Sequence, residues 1–206
     1  MGSVVLGGAI ALLLLGLGIY LGFLNLARFL SVSRPVEAQV LIVEGWVGDD
    51  ALTQASKLFW QEGYRAIITT GPPLLRGTFL SHYKTHAQLA AATLVALGIQ
   101  ADLIIPMPCP AIENYRTYSA ALAVQQTLST QWPDLNAVNL FTVGCHARRS
   151  WYIYRRLLQA EGIAVGVIAA DPGFELATWW QTSSGVRTVV GEGIAYLYVR
   201  LIRWNR

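Results

Sequence analysis

The chain has 206 residues, of which 54% are hydrophobic and 13% are charged, and its formal net charge is +3. This length accommodates one domain with an appendage, and so small a positive charge is not the signature of a nucleic-acid-binding protein, so we expect no nucleic-acid partner. Charged residues are far fewer than the quarter that is usual in soluble domains, and part of this deficit comes from the amino-terminal segment.

The amino-terminal segment is uncharged from residue 1 to residue 27 and rich in Leu, Gly, Ala and Ile. About 20 apolar residues cross a bilayer as a helix, so residues 1–27 are predicted to form a single transmembrane anchor. A signal peptide is disfavoured because neither a basic leading region nor a small-residue cleavage site is evident. Arg28 and Arg34 follow the segment, and by the positive-inside rule they place the rest of the chain in the cytoplasm.

Residues 28–38 are predicted to form a short linker, and residues 39–206 one α/β domain. Short apolar runs typical of buried strands alternate there with stretches that have helical apolar spacing. The predicted strands are 39–43, 66–70, 101–106, 137–143 and 163–170. The predicted helices are 51–63, 85–98, 116–128, 147–162 and 186–204. This alternation predicts a Rossmann-like parallel sheet of about five strands with helices on both faces.

Ligands of such sheets bind beyond the carboxyl ends of the strands, where the strand order reverses. Most polar and titratable residues of this chain follow strands, which favours a site there. They are Glu44 and Gly45 after the first strand; Gly71, Arg76, Ser81, His82, Lys84 and His86 after the second; Glu113, Asn114, Arg116 and Thr117 after the third; and His146, Arg148 and Arg149 after the fourth.

The turn after the fourth strand is the strongest candidate for an anion site. Arg148 and Arg149 lie in the first turn of a predicted helix, where a cation is unfavourable to the helix dipole unless an anion compensates it. Arginine binds phosphate in a bidentate manner, and helix amino-termini favour anions. His146 is either a proton donor near neutral pH or a structural histidine. Glu44 is a general base, a metal ligand or a turn residue that caps the next helix.

Other residues carry weaker signals. Arg155 and Arg156 lie near the carboxyl end of the same helix and are predicted to be solvated. Cys109 and Cys145 can form a disulfide only if the fold brings them together, and both suit small buried positions.

The sequence identifies no cofactor, because the turn after the first strand lacks the G-x-G-x-x-G pattern. It also predicts no metal site, since the two histidines of the 81–86 segment lack the glutamate of H-E-x-x-H. The pair Trp179-Trp180 is part of the core, a ligand platform or an interfacial anchor.

Several segments resemble the ElyC/SanA/YdcF family, a group of bacterial Rossmann-like domains that are often tethered to the inner membrane. They are the EGW turn after the first strand, the TTG end of the second, RTYSAA, TVGCHARRS and the tail WWQTSSGVRTVVGEGIAYLY. His146 and Arg149 match the family's His and Arg at the start of the fourth helix, and Thr117 matches its Asn-Thr segment. The chain departs from the family where Glu44-Gly45-Trp46 replaces Gly-Gly-Gly and Arg116 replaces Asn.

The resemblance implies a role in cell-envelope metabolism, involving a peptidoglycan precursor or a lipid carrier, and a domain on the periplasmic side of the inner membrane, which we favour over the cytoplasm. Our first hypothesis is a membrane-anchored domain that binds an anionic small molecule or lipid-linked phosphate through Arg116, Arg148 and Arg149. Gly45, Gly71 and Thr117 would contribute to this site, and Glu44 and His146 would be acid/base groups if it is an enzyme. The alternative is a non-catalytic scaffold or regulator that uses the tryptophan pair and the closing helix as a contact surface.

Overall fold

The computed structural model describes residues 2–110 and 115–201. It contains a five-stranded parallel sheet in the order β3-β2-β1-β4-β5. The strands are β1 Val40–Glu44, β2 Ala66–Gly71, β3 Ile104–Pro108, β4 Ala137–Val143 and β5 Ala164–Ala170. The helices are α1 Gly2–Leu30, α2 Asp49–Glu62, α3 His86–Ala96, α4 Arg116–Gln131, α5 Ala147–Leu158 and α6 Ser183–Leu201. Glu113, Asn114 and the predicted end of the last helix at 202–204 lie outside the described residues.

The predicted Rossmann-like α/β sheet is confirmed. β1 pairs with β2 on one side and with β4 on the other, so the strand order reverses between β1 and β4. Ligand sites of parallel sheets lie at such a reversal. The largest shift in a strand boundary is at β3, which begins at Ile104 because residues 101–103 form a single 3-10 turn.

Two apolar cores lie on opposite faces of the sheet, because every residue of β1 is buried and its side chains alternate between the faces. α2 and α3 cover one face, and α4 and α5 cover the other. An apolar stripe of α5 packs on the sheet: Ala147, Tyr154 and Leu158 are fully buried. Arg155 and Arg156, on the opposite side of α5, are exposed as predicted.

One helix among the described residues, Leu6–Leu30 within α1, is long and apolar enough to cross a membrane. Its last turn belongs to the folded domain, since Ala27 and Leu30 are fully buried against Cys145, Trp179 and Val189. The helix therefore continues beyond the boundary predicted at residue 27.

Residues 31–38, predicted to be a linker, lie against the sheet. Arg34 forms an antiparallel bridge with Val167 of β5. The buried side chain of Asn139 accepts a hydrogen bond from the Val36 nitrogen at 2.9 Å and donates one to the Val36 oxygen at 2.8 Å. Because this segment runs antiparallel to β5, the chain leaves α1 at the carboxyl edge of the sheet and descends towards the amino edge.

The tryptophan pair lies beside the carboxyl-terminal part of α1. Trp179 is buried, 1% exposed, and its ring centroid lies 4.7 Å from that of Phe23. Trp180 is half-buried, with its centroid 5.8 Å from Phe23. Of the three interpretations of this pair, Trp179 fits the core, and Trp180 has the position of an interfacial aromatic residue at the end of an apolar span.

Candidate functional site

A cleft of about 600 Å³ lies at the carboxyl edge of the sheet, over the ends of β1 and β2 and the turn that follows β4. This volume is in the range of small-molecule sites. The first turns of α3 and α4 form one wall, and residues of α6 form another. Six of the predicted site residues line this cleft: Glu44, Gly71, Arg116, Thr117, His146 and Arg149.

Glu44 ends β1 and is a buried carboxylate, only 2% exposed. Its Oε2 accepts a hydrogen bond from Thr142 Oγ1 at 2.5 Å, and both carboxylate oxygens lie 3.1 Å from the donating Ser150 Oγ. These hydroxyl donors fix its position at the start of α5, where the helix dipole favours negative charge. Glu44 does not cap the following helix, because the N-cap of α2 is Gly48. The interpretation as a capping residue is therefore wrong.

His146 lies between two carboxylates. Its Nδ1 is 2.9 Å from Glu192 Oε1, and its Nε2 is 3.5 Å from Glu44 Oε2. The ring of Trp46 packs edge-on against the imidazole, with the two centroids 4.6 Å apart. The histidine is thus held in one orientation, with a carboxylate beside each ring nitrogen.

Arg149 forms an ion pair with the same glutamate. Its Nε donates to Glu192 Oε2 at 2.8 Å and its Nη2 to Oε1 at 3.2 Å, while Nη1 donates to Thr117 Oγ1 at 3.3 Å. A cation in the first turn of α5 is unfavourable to the helix dipole unless an anion compensates it. For Arg149, Glu192 supplies that anion from within the chain.

Glu192 is the main site residue that the sequence analysis missed. It is the only acidic residue of α6 and stands between Gly191 and Gly193 in an otherwise largely apolar stretch. A lone carboxylate in such a helix is a signal of a buried or partly buried partner. What the sequence did not indicate is that α6 crosses the carboxyl edge of the sheet and turns this residue towards His146.

The surroundings shift the pKa of Glu192 strongly. Burial alone raises the pKa of this carboxyl, but the hydrogen bonds and positive charges of His146 and Arg149 outweigh burial and lower it to about 2. His146 Nδ1 also lies 2.9 Å from Arg149 Nη2. This nitrogen therefore has an acceptor beside it when protonated and a donor beside it when not, so the site accommodates both states.

The first turns of three helices converge on the cleft, because each helix that follows a parallel strand begins at the carboxyl edge. Each first turn contributes a basic residue that lines the cleft: His86 in α3, Arg116 in α4 and Arg149 in α5. Burial, followed by the positive charge of Arg116, lowers the pKa of His86. The Arg116 side chain is exposed and has no ion-pair partner among residues 2–110 and 115–201.

Arg148, predicted as a ligand-binding residue, lies outside the cleft. Its guanidinium stacks 3.8 Å from the ring centroid of Phe29, and its Nε donates to the Phe29 carbonyl oxygen. Successive residues of a helix point about 100° apart, so Arg148 faces α1 while Arg149 faces α6. The cation–π contact with α1 accounts for Arg148 without a ligand.

Gly45, also predicted to bind ligand, serves a packing role and does not line the cleft. Its nitrogen donates to the Thr70 oxygen at 2.6 Å. A Cβ on this residue would lie 2.6 Å from the His86 oxygen and 2.7 Å from the Thr70 oxygen, both backbone atoms. Gly71 lines the cleft, and a Cβ there would lie 2.6 Å from the Cβ of His86.

Replacement of Gly45 by alanine is expected to destabilise the chain by about 2–3 kcal/mol, because the end of β2 and the start of α3 must move apart to accept the methyl group. Thermal unfolding of the full chain in detergent micelles measures the loss. Gly48→Ala is the matched control, since a Cβ at Gly48 has no atom within 4 Å. Equal melting temperatures for the two variants would contradict the packing role.

No protein-family model matches this sequence, and no curated protein shows significant similarity to it.

Both cysteines are buried, and the two histidines after β2 lie in different places. Burial, and then the charge of Glu192, raise the pKa of Cys145 to about 12, and burial raises that of Cys109. Both cysteines are free thiols. Within the described ranges, no group of three or more His, Cys, Asp and Glu side chains is arranged to hold a metal ion. His82 is exposed on the loop after β2, whereas His86 lines the cleft.

Proposed function

We propose that this chain is a membrane-anchored α/β protein whose cleft binds an anionic, phosphate-bearing ligand of the bacterial cell envelope. The observation that carries the proposal is the convergence of Arg116 and Arg149, in the first turns of α4 and α5, on one cleft. Helix amino-termini and arginine side chains both favour phosphate. Within residues 2–110 and 115–201, Arg116 is an exposed cation of the cleft without an ion-pair partner, whereas Arg149 is paired with Glu192.

His146 is the group that we propose for proton transfer to or from the bound ligand. It faces the cleft between Glu44 and Glu192, and its neighbours accommodate either protonation state. The fixed carboxylate of Glu44 would stabilise the protonated imidazole through Nε2. The reacting oxygen of a phosphate held by Arg116 would then lie in the same cleft as this histidine.

The proposed envelope role and membrane orientation are supported by the amino-terminal helix and the family resemblance, not by the geometry of the cleft. The apolar helix Leu6–Leu30 supports a single-pass anchor in the inner membrane. The resemblance to the ElyC/SanA/YdcF family supports an envelope metabolite, either a peptidoglycan precursor or a lipid carrier, and a periplasmic domain. The phosphate group that we propose for the cleft can belong to a free phosphate compound or to a lipid-linked phosphate.

Replacement of Arg116 by alanine is expected to weaken phosphate binding at least about tenfold, the effect of losing a charge-assisted hydrogen bond. Isothermal titration of the full chain in detergent with inorganic phosphate, and separately with a short polyprenyl monophosphate, distinguishes the two ligand sources. The fold should be retained, because Arg116 is an exposed cation at a helix amino-terminus, where its removal relieves an unfavourable dipole interaction.

The matched control is Arg156→Ala, which removes an exposed arginine at the far end of α5. Its affinity for both phosphates should equal that of the unmodified chain. Unchanged binding of both ligands by the Arg116 variant would rule out the cleft as the phosphate site.

The scaffold alternative is supported by α6 rather than by the tryptophan pair. Trp179 is in the core, but the outer face of α6 exposes an apolar stripe at helical spacing: Val186 39%, Val190 43%, Ile194 65%, Leu197 57% and Leu201 79%. Exposed apolar stripes are typical of contact surfaces. Full cellular activity of the Arg116→Ala chain, in a strain that lacks the native copy, would favour this alternative.

A further inference from the structure

The loop between β2 and α3, residues 72–85, has an ordered neck at the carboxyl edge of the sheet. Pro73 and Thr85 form an antiparallel bridge, and the Leu74 nitrogen donates to the Lys84 oxygen at 2.9 Å. These contacts continue the end of β2 into a two-stranded neck. The loop therefore leaves the domain beside the cleft, whose wall includes Pro72 and His86 at the base of this neck.

The tip of this loop is held in shape by its own contacts. Lys84 Nζ donates to the Thr78 oxygen at 2.7 Å and to the Ser81 oxygen at 2.9 Å. Three large apolar side chains are nevertheless exposed: Leu75 78%, Phe79 101% and Leu80 94%. Apolar side chains that an ordered loop exposes in this way are typical of a site that contacts a membrane or another protein.

The charges of the loop match a bilayer surface. Arg76 and Lys84 stand beside the apolar tip, residues 72–85 contain no Asp or Glu, and Tyr83 is exposed. Apolar and aromatic side chains flanked by basic ones bind interfaces that contain anionic lipids.

The apolar span approaches the domain at the same edge of the sheet. The sulfur of Cys145, just after β4, donates to the Ala27 oxygen near the end of α1 at 3.7 Å. β4 and β2 are separated only by β1, so the ends of these two strands lie about 10 Å apart by strand spacing, and the span and the loop both leave the domain at this edge. The cleft lies over the ends of the strands between them.

We propose that the loop of residues 72–85 is a second membrane contact, which inserts Phe79 and Leu80 into the surface of the bilayer that α1 spans. This inference rests on the membrane anchor of the proposed function but not on phosphate binding. A contact on each side would place the cleft beside the lipid headgroups, within reach of a lipid-borne ligand.

Lipid quenching of a fluorophore tests the insertion. The full chain carries a single label at Phe79→Cys, at Leu13→Cys within the span, or at Gln61→Cys, which is exposed near the end of α2 at the amino edge. The native cysteines are 4% and 0% exposed, and the unsubstituted chain measures their background labelling. Each variant is reconstituted into vesicles of phosphatidylcholine and phosphatidylglycerol that contain nitroxide-labelled lipids.

The label at position 79 is expected to be quenched several-fold more by nitroxide lipids than the label at position 61, and to be protected from aqueous iodide. Quenching at position 13 but not at position 79 overturns the loop contact and leaves the anchor in place. Absence of quenching at position 13 overturns the anchor and the loop contact together. The phosphate titrations are independent of all three labels, so failure of ligand binding is distinguishable from failure of insertion.

Discussion

Replacement of Arg149 by alanine is expected to lower the free energy of unfolding by about 3 kcal/mol, the lower end of the range for breaking a buried ion pair. The side chains of Arg149 and Glu192 are 17% and 19% exposed, so both are largely removed from water. The variant leaves the carboxylate of Glu192 with His146 as its remaining partner across the cleft. Urea unfolding of the full chain in detergent micelles at pH 7 measures the loss.

A double variant separates the ion pair from the packing of the arginine stem. Arg149→Ala combined with Glu192→Gln should lose less stability than the sum of the single variants, with a coupling energy of about 1–3 kcal/mol, because no unpaired charge remains. Arg156→Ala, on an exposed position of the same helix, should change the free energy of unfolding by less than about 0.5 kcal/mol. Strict additivity of the two single effects would show that the pair is not coupled.

Replacement of Glu192 by glutamine is expected to lower the free energy of unfolding at neutral pH by about 3 kcal/mol, and this loss should depend on pH. The value is the energy that corresponds to lowering a pKa from 4.5 to about 2. The folded pKa is depressed, so the unfolded chain binds more protons in this range. The contribution is therefore fully present above pH 4.5 and is lost as the pH falls from 4.5 to about 2. Unfolding free energies of the two chains, measured across this range, should converge as the pH decreases.

Glu175→Gln is the control for general effects of removing a carboxylate, because Glu175 is exposed on the arm between β5 and α6. Its unfolding free energy should follow that of the unmodified chain at every pH. A constant offset between the Glu192 variant and the unmodified chain from pH 7 down to pH 2 would refute the depressed pKa of Glu192.

Much of the fold could be predicted from local sequence. Buried parallel strands appear in the sequence as short apolar runs, and helices appear as segments with helical apolar spacing. For this reason β1 to β5 and α2 to α6 were predicted within a few residues of their observed bounds. Residues 28–38 were predicted to be a short polar linker, and the sequence did not indicate that this segment is tied to the sheet. The side chain of Asn139, buried within β4, binds the backbone of Val36 there.

The sequence predicted that several candidate residues converge at one edge of the sheet, but it did not predict which neighbours they face. Parallel strands end at a common edge, so Glu44, Arg116, His146 and Arg149 could be expected to converge from their positions after strands. Which neighbour each of them faces depends on helices that are distant in sequence. Arg148 contacts Phe29 of α1, whereas the adjacent Arg149 contacts Glu192 of α6. No local sequence pattern specifies where those two helices pack.

By itself, the sequence determined the alternation of strands and helices, the apolar amino-terminal span and the edge of the sheet at which polar residues collect, because periodicity and chain order are local properties. The tertiary structure alone decided that Glu192 compensates Arg149, that Gly45 is a packing residue and that the loop after β2 emerges near the span. Each of these depends on contacts between segments far apart in the chain: α6 against the start of α5, β1 against β2 and α3, and α1 against the turn after β4.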